Sequence, residues 1–238
     1  MAGMRRALLF EVRRVTSVWS TWILLGLIFL VGLATTLNLL RGEVTADDFP
    51  RGAVNHLTAG GVLAAAIGAS AIGAELRWNT LRALYTAFPR RTDIVLAKVV
   101  VVVALLVALS IVCTGVDTAV ISVAAGGTGF GGEWLGLGTR SALVLVSWGV
   151  IGFSVAALTR SQVAGFLVPV AVAYIVEIGL LSVFPSNTLA SLLPFINASE
   201  ATSVGTPAVE AFEHAAVFGG FAVALLVAAV VVLRRRDA

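Results

Sequence analysis

Three ionisable side chains lie within strongly apolar stretches, where they could serve as an acid, a base or an ion ligand: Asp117, Arg140 and Glu177. A charge inside a membrane is costly, so pairing or function is the expected reason for its presence. Arg140 could pair with either acid. Asp117 lies about 28 Å along a helix from Lys98, so it could also reach water. A structural ion pair, a polar translocation cavity and a proton relay all stay open as roles.

No other pattern in the chain supports enzyme chemistry. Residues 127–132, GTGFGG, match G-x-G-x-x-G, but a dinucleotide site also needs a preceding strand, a following helix and an acidic residue about 20 positions later, and none of the three is expected here. Lys98 is the only lysine and no glycine precedes it, which excludes a P-loop. The single Cys113 excludes an internal disulfide and a cysteine-based zinc cluster. The sequence predicts no catalytic residue and no metal site, and residues 126–138 are expected to form a flexible turn.

The composition is that of an integral membrane protein. Of 238 residues, 59% are hydrophobic and only 12% are charged, whereas about a quarter are charged in soluble domains. Six spans of about 20 residues leave no room for a second globular domain. The basic residues lie at span ends and are not interleaved with aromatic ones, so nucleic acid is not an expected partner.

The periodicity predicts an all-α, single transmembrane domain over residues 1–238. An amphipathic helix is expected at 5–18, lying on the membrane through Leu8, Val12, Val15 and Trp19. The chain between Phe184 and Phe212 is expected to form a re-entrant or surface-lying helix pair bent at Pro194. The predicted spans are at about 19–40, 57–74, 94–125, 139–158, 163–183 and 214–233.

Small residues recur at every fourth position of the second span, and they allow another helix to approach closely. This stripe has two interpretations, packing within the same subunit and a dimer seam, of which the first is favoured. The stripe consists of Gly61, Ala65, Ala69 and Gly73.

The basic residues also predict the orientation. With both termini cytoplasmic, thirteen of the sixteen Lys and Arg residues lie inside, and Arg41, Arg51 and Arg140 lie outside. Glu75–Lys98, ELRWNTLRALYTAFPRRTDIVLAK, then faces the cytoplasm. Its first part is predicted to be a short amphipathic helix that Pro89 ends. One stripe of that helix is polar and exposed in the prediction: Glu75, Asn79, Arg82 and Thr86.

That stretch resembles a known family. ELRWNTLRAL at 75–84, followed by Pro89-Arg90 and Ala97-Lys98, resembles the "E-x-R-x-G-T-L-R-x-L … P-x-R … K" stretch of type-2 ABC transporter permeases, such as those of actinobacterial drug and antibiotic efflux systems. Asn79 departs from the family, which commonly has Gly there. The predicted N-terminal helix, six spans, interfacial segment before the last span and basic end also agree with the family's layout.

The resemblance implies a permease subunit of an exporter in the bacterial plasma membrane, with a hydrophobic or amphipathic substrate. The chain would have no ATPase site of its own; a partner ATPase subunit would bind ATP and Mg, and a second permease copy would complete a homodimer or heterodimer. The coupling helix would be residues 75–88, contacting the ATPase through Glu75, Arg77, Trp78, Asn79, Thr80, Arg82 and Thr86.

Two other classes of function stay open. One is a membrane-embedded enzyme that uses Glu177 and Asp117 as acid and base, which requires both to line one water-filled cavity. The other is a scaffold or immunity-type subunit that binds a partner but transports nothing.

Overall fold

The computed structural model describes residues 2–45, 48–77, 91–127 and 132–236, and within these ranges it contains helices and short connections but no β-strand. A π-helical segment, Val172–Glu177, joins α7 to α8. The helices are α1 Ala2–Ser17, α2 Trp19–Leu39, α3 Phe49–Gly52, α4 Leu57–Arg77, α5 Arg91–Ala125, α6 Gly132–Thr159, α7 Gln162–Ala171, α8 Ile178–Val183, α9 Asn187–Leu192, α10 Pro194–Ala201 and α11 Ala208–Arg236.

Six helical stretches are long and apolar enough to cross a membrane, which confirms the predicted all-helical, multi-pass architecture for the described residues. Helices are the expected solution because a lipid interior offers no partner for an unpaired backbone N–H or C=O. The stretches are Trp19–Leu39, Phe49–Gly73, Asp93–Ala125, Trp134–Thr159, Gln162–Val183 and Ala208–Arg235.

Successive spans run in opposite directions, which divides the polar features between two ends of the bundle. The α1 end holds α1, the end of α4 and the start of α5, which pack together. The far end holds α3, the end of α5, the start of α6, and the pair α9 and α10.

Helices α4 and α6 form the centre of the bundle. The most apolar windows of these two spans are 61% and 72% buried, against 17–22% for α2, for Gln162–Val183 and for α11. The peripheral helices turn apolar side chains outward, as lipid-facing helices do. α4 therefore connects the core of the bundle to the predicted cytoplasmic segment, beside which it ends.

Glycine residues allow the backbones of α4 and α6 to come into direct contact. A Cβ on Gly68 would overlap the carbonyl oxygen of Gly149, and a Cβ on Gly152 would overlap that of Ala65. Side chains at these positions would force the helices apart, so the contact is available only to residues without a Cβ.

The predicted small-residue stripe packs inside the chain. Gly61 lies against the indole of Trp148 and Gly73 against Gln162, while the methyl group of Ala69 faces Gly165 of α7. All four residues of the stripe are buried. Of the two interpretations of the stripe, the structure therefore shows the intramolecular one.

Several helix boundaries differ from the predicted ones. α6 begins at Gly132 and not at Thr139, so the second half of the expected glycine-rich turn is helical. Tertiary contacts override the weak helix propensity of glycine here, because the Trp134 indole N–H donates to the Thr118 hydroxyl at 2.9 Å. α11 begins at Ala208, and α4 continues to Arg77.

The fifth span is interrupted where the sequence predicts a continuous helix. Pro169 lies inside α7, and the chain then follows a π-helical course from Val172 to Glu177. Proline removes one backbone donor and clashes with the preceding turn, and a π segment is a common way to absorb the disturbance. The irregular segment ends at Glu177, one of the acids singled out above.

We predict that Gly68→Ala destabilises the bundle by about 1–3 kcal/mol, the usual cost of overpacking, because its methyl group would meet the Gly149 carbonyl. Thermal unfolding of the purified chain in detergent measures the effect. Gly115→Ala is the matched control, since a Cβ there meets nothing within 4 Å. Equal stability of the two variants would contradict the backbone contact.

Candidate functional site

Four charged side chains meet at the α1 end, and we call them the charge network: Glu11, Arg14, Glu75 and Lys98. The Lys98 ammonium donates to Glu11 Oε1 at 2.7 Å and to Glu75 Oε1 at 2.6 Å. Arg14 Nε donates to Glu11 Oε2 at 2.8 Å, and its guanidinium also lies 3.3 Å from Glu75 Oε1. The network joins α1, α4 and α5.

Three members of the charge network are buried and Arg14 is partly exposed, which makes the internal charge balance essential. Lys98 is 1% exposed, Glu11 0% and Glu75 6%. Two acids and two bases leave no net charge, so each member compensates the others. A buried charge without its partner is strongly destabilising, whereas the complete set is roughly neutral for stability. The network therefore specifies how the three helices fit together more than it adds stability.

Arg14 ties the network to the backbone of α4 as well. Its guanidinium donates to the carbonyl oxygen of Ala71 at 2.9 Å. Glu75 Oε2 is buried and has no hydrogen-bond partner among the described residues. One carboxylate oxygen of the network is thus open to a further donor.

α1 packs on the rest of the chain through a face other than the apolar stripe that is predicted to lie on the membrane. Ala7, Glu11 and Val15 are buried, whereas Val12 is 47% and Trp19 81% exposed. That the helix lies on the membrane stays a prediction, and the predicted stripe did not include the buried Glu11. The sequence did contain a signal for the buried Glu11–Lys98 pair. Glu11 lies four residues from both Ala7 and Val15, and the chain has a single lysine.

Glu75 is buried, so the expectation that this residue is exposed is wrong. α4 runs on through this residue, and the turn of the helix directs the carboxylate toward Lys98 and not toward solvent. The other predicted coupling residues, Trp78, Asn79, Thr80, Arg82 and Thr86, lie outside the described residues, and the predicted helix 75–88 is described only as far as Arg77, which ends α4.

A second group of polar side chains lies at the far end. The His56 Nε2 is 3.2 Å from the Ser110 hydroxyl, and His56 Nδ1 and Asp117 Oδ2 are buried without hydrogen-bond partners in the described ranges. Both lie against Gly32, since a Cβ there would lie 2.8 Å from the Cβ of His56 and 3.2 Å from Asp117 Oδ2. Asp117 is 2% exposed, so the expectation that it reaches water is wrong.

Arg140 pairs with neither acid. No ion pair within 4.0 Å joins it to Asp117 or Glu177, and its Nε and one terminal nitrogen are buried without acceptors among the residues described. Its guanidinium instead lies 5.7 Å from the ring centre of Phe212, a cation–π distance. The predicted Arg140 ion pair is therefore wrong, and the three polar candidates do not form one site.

Glu177 has a structural role at the start of α10. Its carboxylate accepts the backbone N–H of Phe195 at 3.2 Å and that of Ile196 at 2.9 Å. These are free donors of the first turn of a helix that begins at Pro194, and a carboxylate is favoured there. The buried acid is thus accounted for by capping.

Sequence reasoning missed Asn197, which closes the pair α9 and α10. This residue is 1% exposed, and its side-chain amide donates to the carbonyl oxygens of Ala190, Ser191 and Leu193 at 2.8–3.2 Å. Its Oδ1 lies 2.6 Å from His214 Nδ1. Together with Glu177, it fixes both short helices to the fifth and sixth spans.

We predict that Lys98→Met lowers the free energy of unfolding by about 3–5 kcal/mol, since the two buried carboxylates of Glu11 and Glu75 would be left with a single counter-charge, Arg14. Arg13→Met, an exposed base on the other face of α1, should change it by less than about 0.5 kcal/mol. Unfolding in lipid nanodiscs measures both. The triple variant Lys98→Met with Glu11→Gln and Glu75→Gln should recover part of the loss. Similar stabilities for Lys98→Met and Arg13→Met would contradict the buried ion pairs of Lys98.

For Glu177→Gln we predict faster amide hydrogen exchange at Phe195 and Ile196 with little change elsewhere, because a neutral amide caps the α10 amides more weakly. Exchange followed by mass spectrometry resolves this. Unchanged protection at α10 would contradict the capping role.

Comparison with known proteins identifies no relative: no protein family, no curated protein and no solved structure matches the chain.

Proposed function

We propose that this chain is the membrane-spanning permease subunit of an ATP-driven exporter of the type-2 ABC class, powered by a separate ATPase subunit. Residues 78–90, which include most of the predicted coupling helix 75–88, would form its contact with the ATPase at the cytoplasmic face. The observation that carries the proposal is the charge network, because it secures both chain segments that lead into and out of residues 78–90.

The network supplies what a coupling segment needs, a stiff attachment. Glu75 lies two residues before the end of α4, and Lys98 lies in the second turn of α5. Both are tied to α1 through Glu11 and Arg14. A force applied to residues 78–90 would then act on α1, α4 and α5 together and would not merely deform one connecting segment.

A route also exists from this attachment to the centre of the bundle. α4 packs on α6 at backbone distance, so a displacement of α4 moves α6 with it. Rigid elements that shift as one body are the usual means of transmitting such changes. In this proposal, ATP-driven closure of the partner tilts α1, α4 and α5, and the spans that pack against them follow.

The alternative of a membrane-embedded enzyme has less support. Both oxygens of Glu177 are engaged by backbone amides, and Asp117 lies on α5 beside Gly32. A cavity of about 350 Å³ beside Trp148 is lined by neither acid. The scaffold alternative shares the partner but not the transport, so only a transport measurement separates it from the proposal.

The proposal predicts a specific partner. Affinity purification of the tagged chain from its native membrane should recover a P-loop ATPase in about equal amount. Recovery of no nucleotide-binding protein under conditions that keep the chain folded would contradict the proposal.

Arg82→Glu should reduce ATP-dependent transport by the reconstituted complex at least about tenfold, because it reverses a charge of the proposed contact, while the purified chain stays folded. Arg41→Glu, on the connection at the other end of α2, is the matched control and should transport normally. Wild-type coupling in Arg82→Glu would argue against residues 78–90 as the contact.

A further inference from the structure

A cavity of about 350 Å³ opens in the side of the bundle toward the far end. Residues of α4, α6, the π segment, α8 and α10 line it, among them Leu57, Gly61, Trp148, Ile178 and Phe195. Its size falls in the range of small-molecule sites. Tyr174 and Ile178 at its rim are half exposed, so it is reached from the side of the bundle.

The inner wall of the cavity is a rigid aromatic cluster. The ring centres of Trp148 and Phe195 are 4.6 Å apart, and Phe218 lies 5.5 Å from Phe195. The Glu177 cap and the Asn197 amide hold α10, and hence Phe195, against this wall. The cavity is therefore pre-formed by packed helices, and it does not require the movement of a loop.

One buried polar side chain in the wall has no hydrogen-bond partner among the described residues. Trp148 is 6% exposed and lines the cavity, yet its indole N–H donates to no acceptor in the described ranges. A buried indole N–H usually finds an acceptor. Gly61 is what lets the ring sit there, since a Cβ on Gly61 would come within 2.7 Å of Nε1.

The lining carries no charge. It contains no Asp, Glu, Lys, Arg or His, and its polar side chains besides Trp148 are the hydroxyls of Thr58, Tyr174, Ser199 and Thr202. A charged group would lose its hydration here without gaining a counter-ion. The cavity thus discriminates by charge as well as by size.

We infer that this cavity binds an uncharged, mainly hydrocarbon molecule that carries one acceptor oxygen, with that oxygen accepting the Trp148 indole N–H. The inference deepens the proposed function, since it names the chemical class of the substrate, and it rests on that function in treating the bound molecule as cargo. Binding itself needs only this chain, so it can be tested without the ATPase.

Four probes of one chain length test the inference: dodecanol, dodecane, dodecanoate and dodecylammonium. Each is radiolabelled and equilibrated with the chain in phosphatidylcholine nanodiscs, and protein-free nanodiscs give the amount that merely partitions into lipid. Dodecanol should show saturable binding at one molecule per chain. Dodecane should bind about fivefold more weakly for want of the hydrogen bond, and both ions at least about tenfold more weakly.

Two variants locate the site. Trp148→Phe keeps the aromatic bulk and should weaken dodecanol binding about fivefold while leaving dodecane unchanged. Ser199→Phe places a ring in the cavity and should abolish saturable binding, whereas Ser191→Phe, an exposed serine on α9 that does not line it, should not. Circular dichroism confirms that each variant is folded.

Several results would overturn the inference: no saturable excess over protein-free nanodiscs, equal affinity for the ions, or wild-type dodecanol binding in Trp148→Phe or Ser199→Phe. Because no ATPase is present, these failures are distinct from a failure to recover an ATPase from the membrane. Recovery of the ATPase without dodecanol binding would leave the proposed function standing and remove only this site.

Discussion

The α1 end of the molecule depends on one constraint: an ammonium group that has no access to water must be matched by carboxylates from elsewhere. Lys98 is enclosed, and the two acids that match it come from different helices, Glu11 from α1 and Glu75 from α4. Arg14 then balances the second acid. Since none of these charges can be removed singly without leaving another uncompensated, the three helices are fixed in one arrangement. Ion pairs and hydrogen bonds are directional, so they fix the relative positions of helices more specifically than apolar packing alone does.

A second constraint operates further along α4. The glycines that face α6 remove the side-chain layer between two central helices, so the backbones themselves are in contact. The charge network and this seam lie on the same helix, one near its end and the other in its middle. In the proposed mechanism, a displacement that begins at the α1 end is passed to α6, which forms part of the cavity wall through Trp148. The proposed work of the chain, from a cytoplasmic contact to a bound molecule, follows this sequence of rigid contacts.

The sequence was sufficient to predict the spans, because apolar length is a local property. It was also sufficient to single out Glu177, but not to name its partner: a backbone amide 19 residues away, at Ile196, has no pattern in the sequence. Glu75 shows the same limit. Its periodicity placed it on a polar stripe, while the tertiary structure extends α4 and places the carboxylate against Lys98. The sequence did not reveal the packed face of α1, because a buried ion pair reverses the rule that the charged face is the exposed one. Asn197 and Trp148 are ordinary residues in an apolar chain, and only their surroundings distinguish them.

If the charge network makes α1, α4 and α5 one rigid body, the distance between α1 and α5 should have a single value. Spin labels at Leu9 on α1 and Leu96 on α5, both exposed, with Cys113 replaced by serine, allow the distance between these helices to be measured by pulsed electron resonance. We expect a single narrow distance distribution in the otherwise native chain in nanodiscs, and a broad or shifted one when Lys98→Met is added. A broad distribution in the native background, or a distribution that Lys98→Met leaves unchanged, would contradict it.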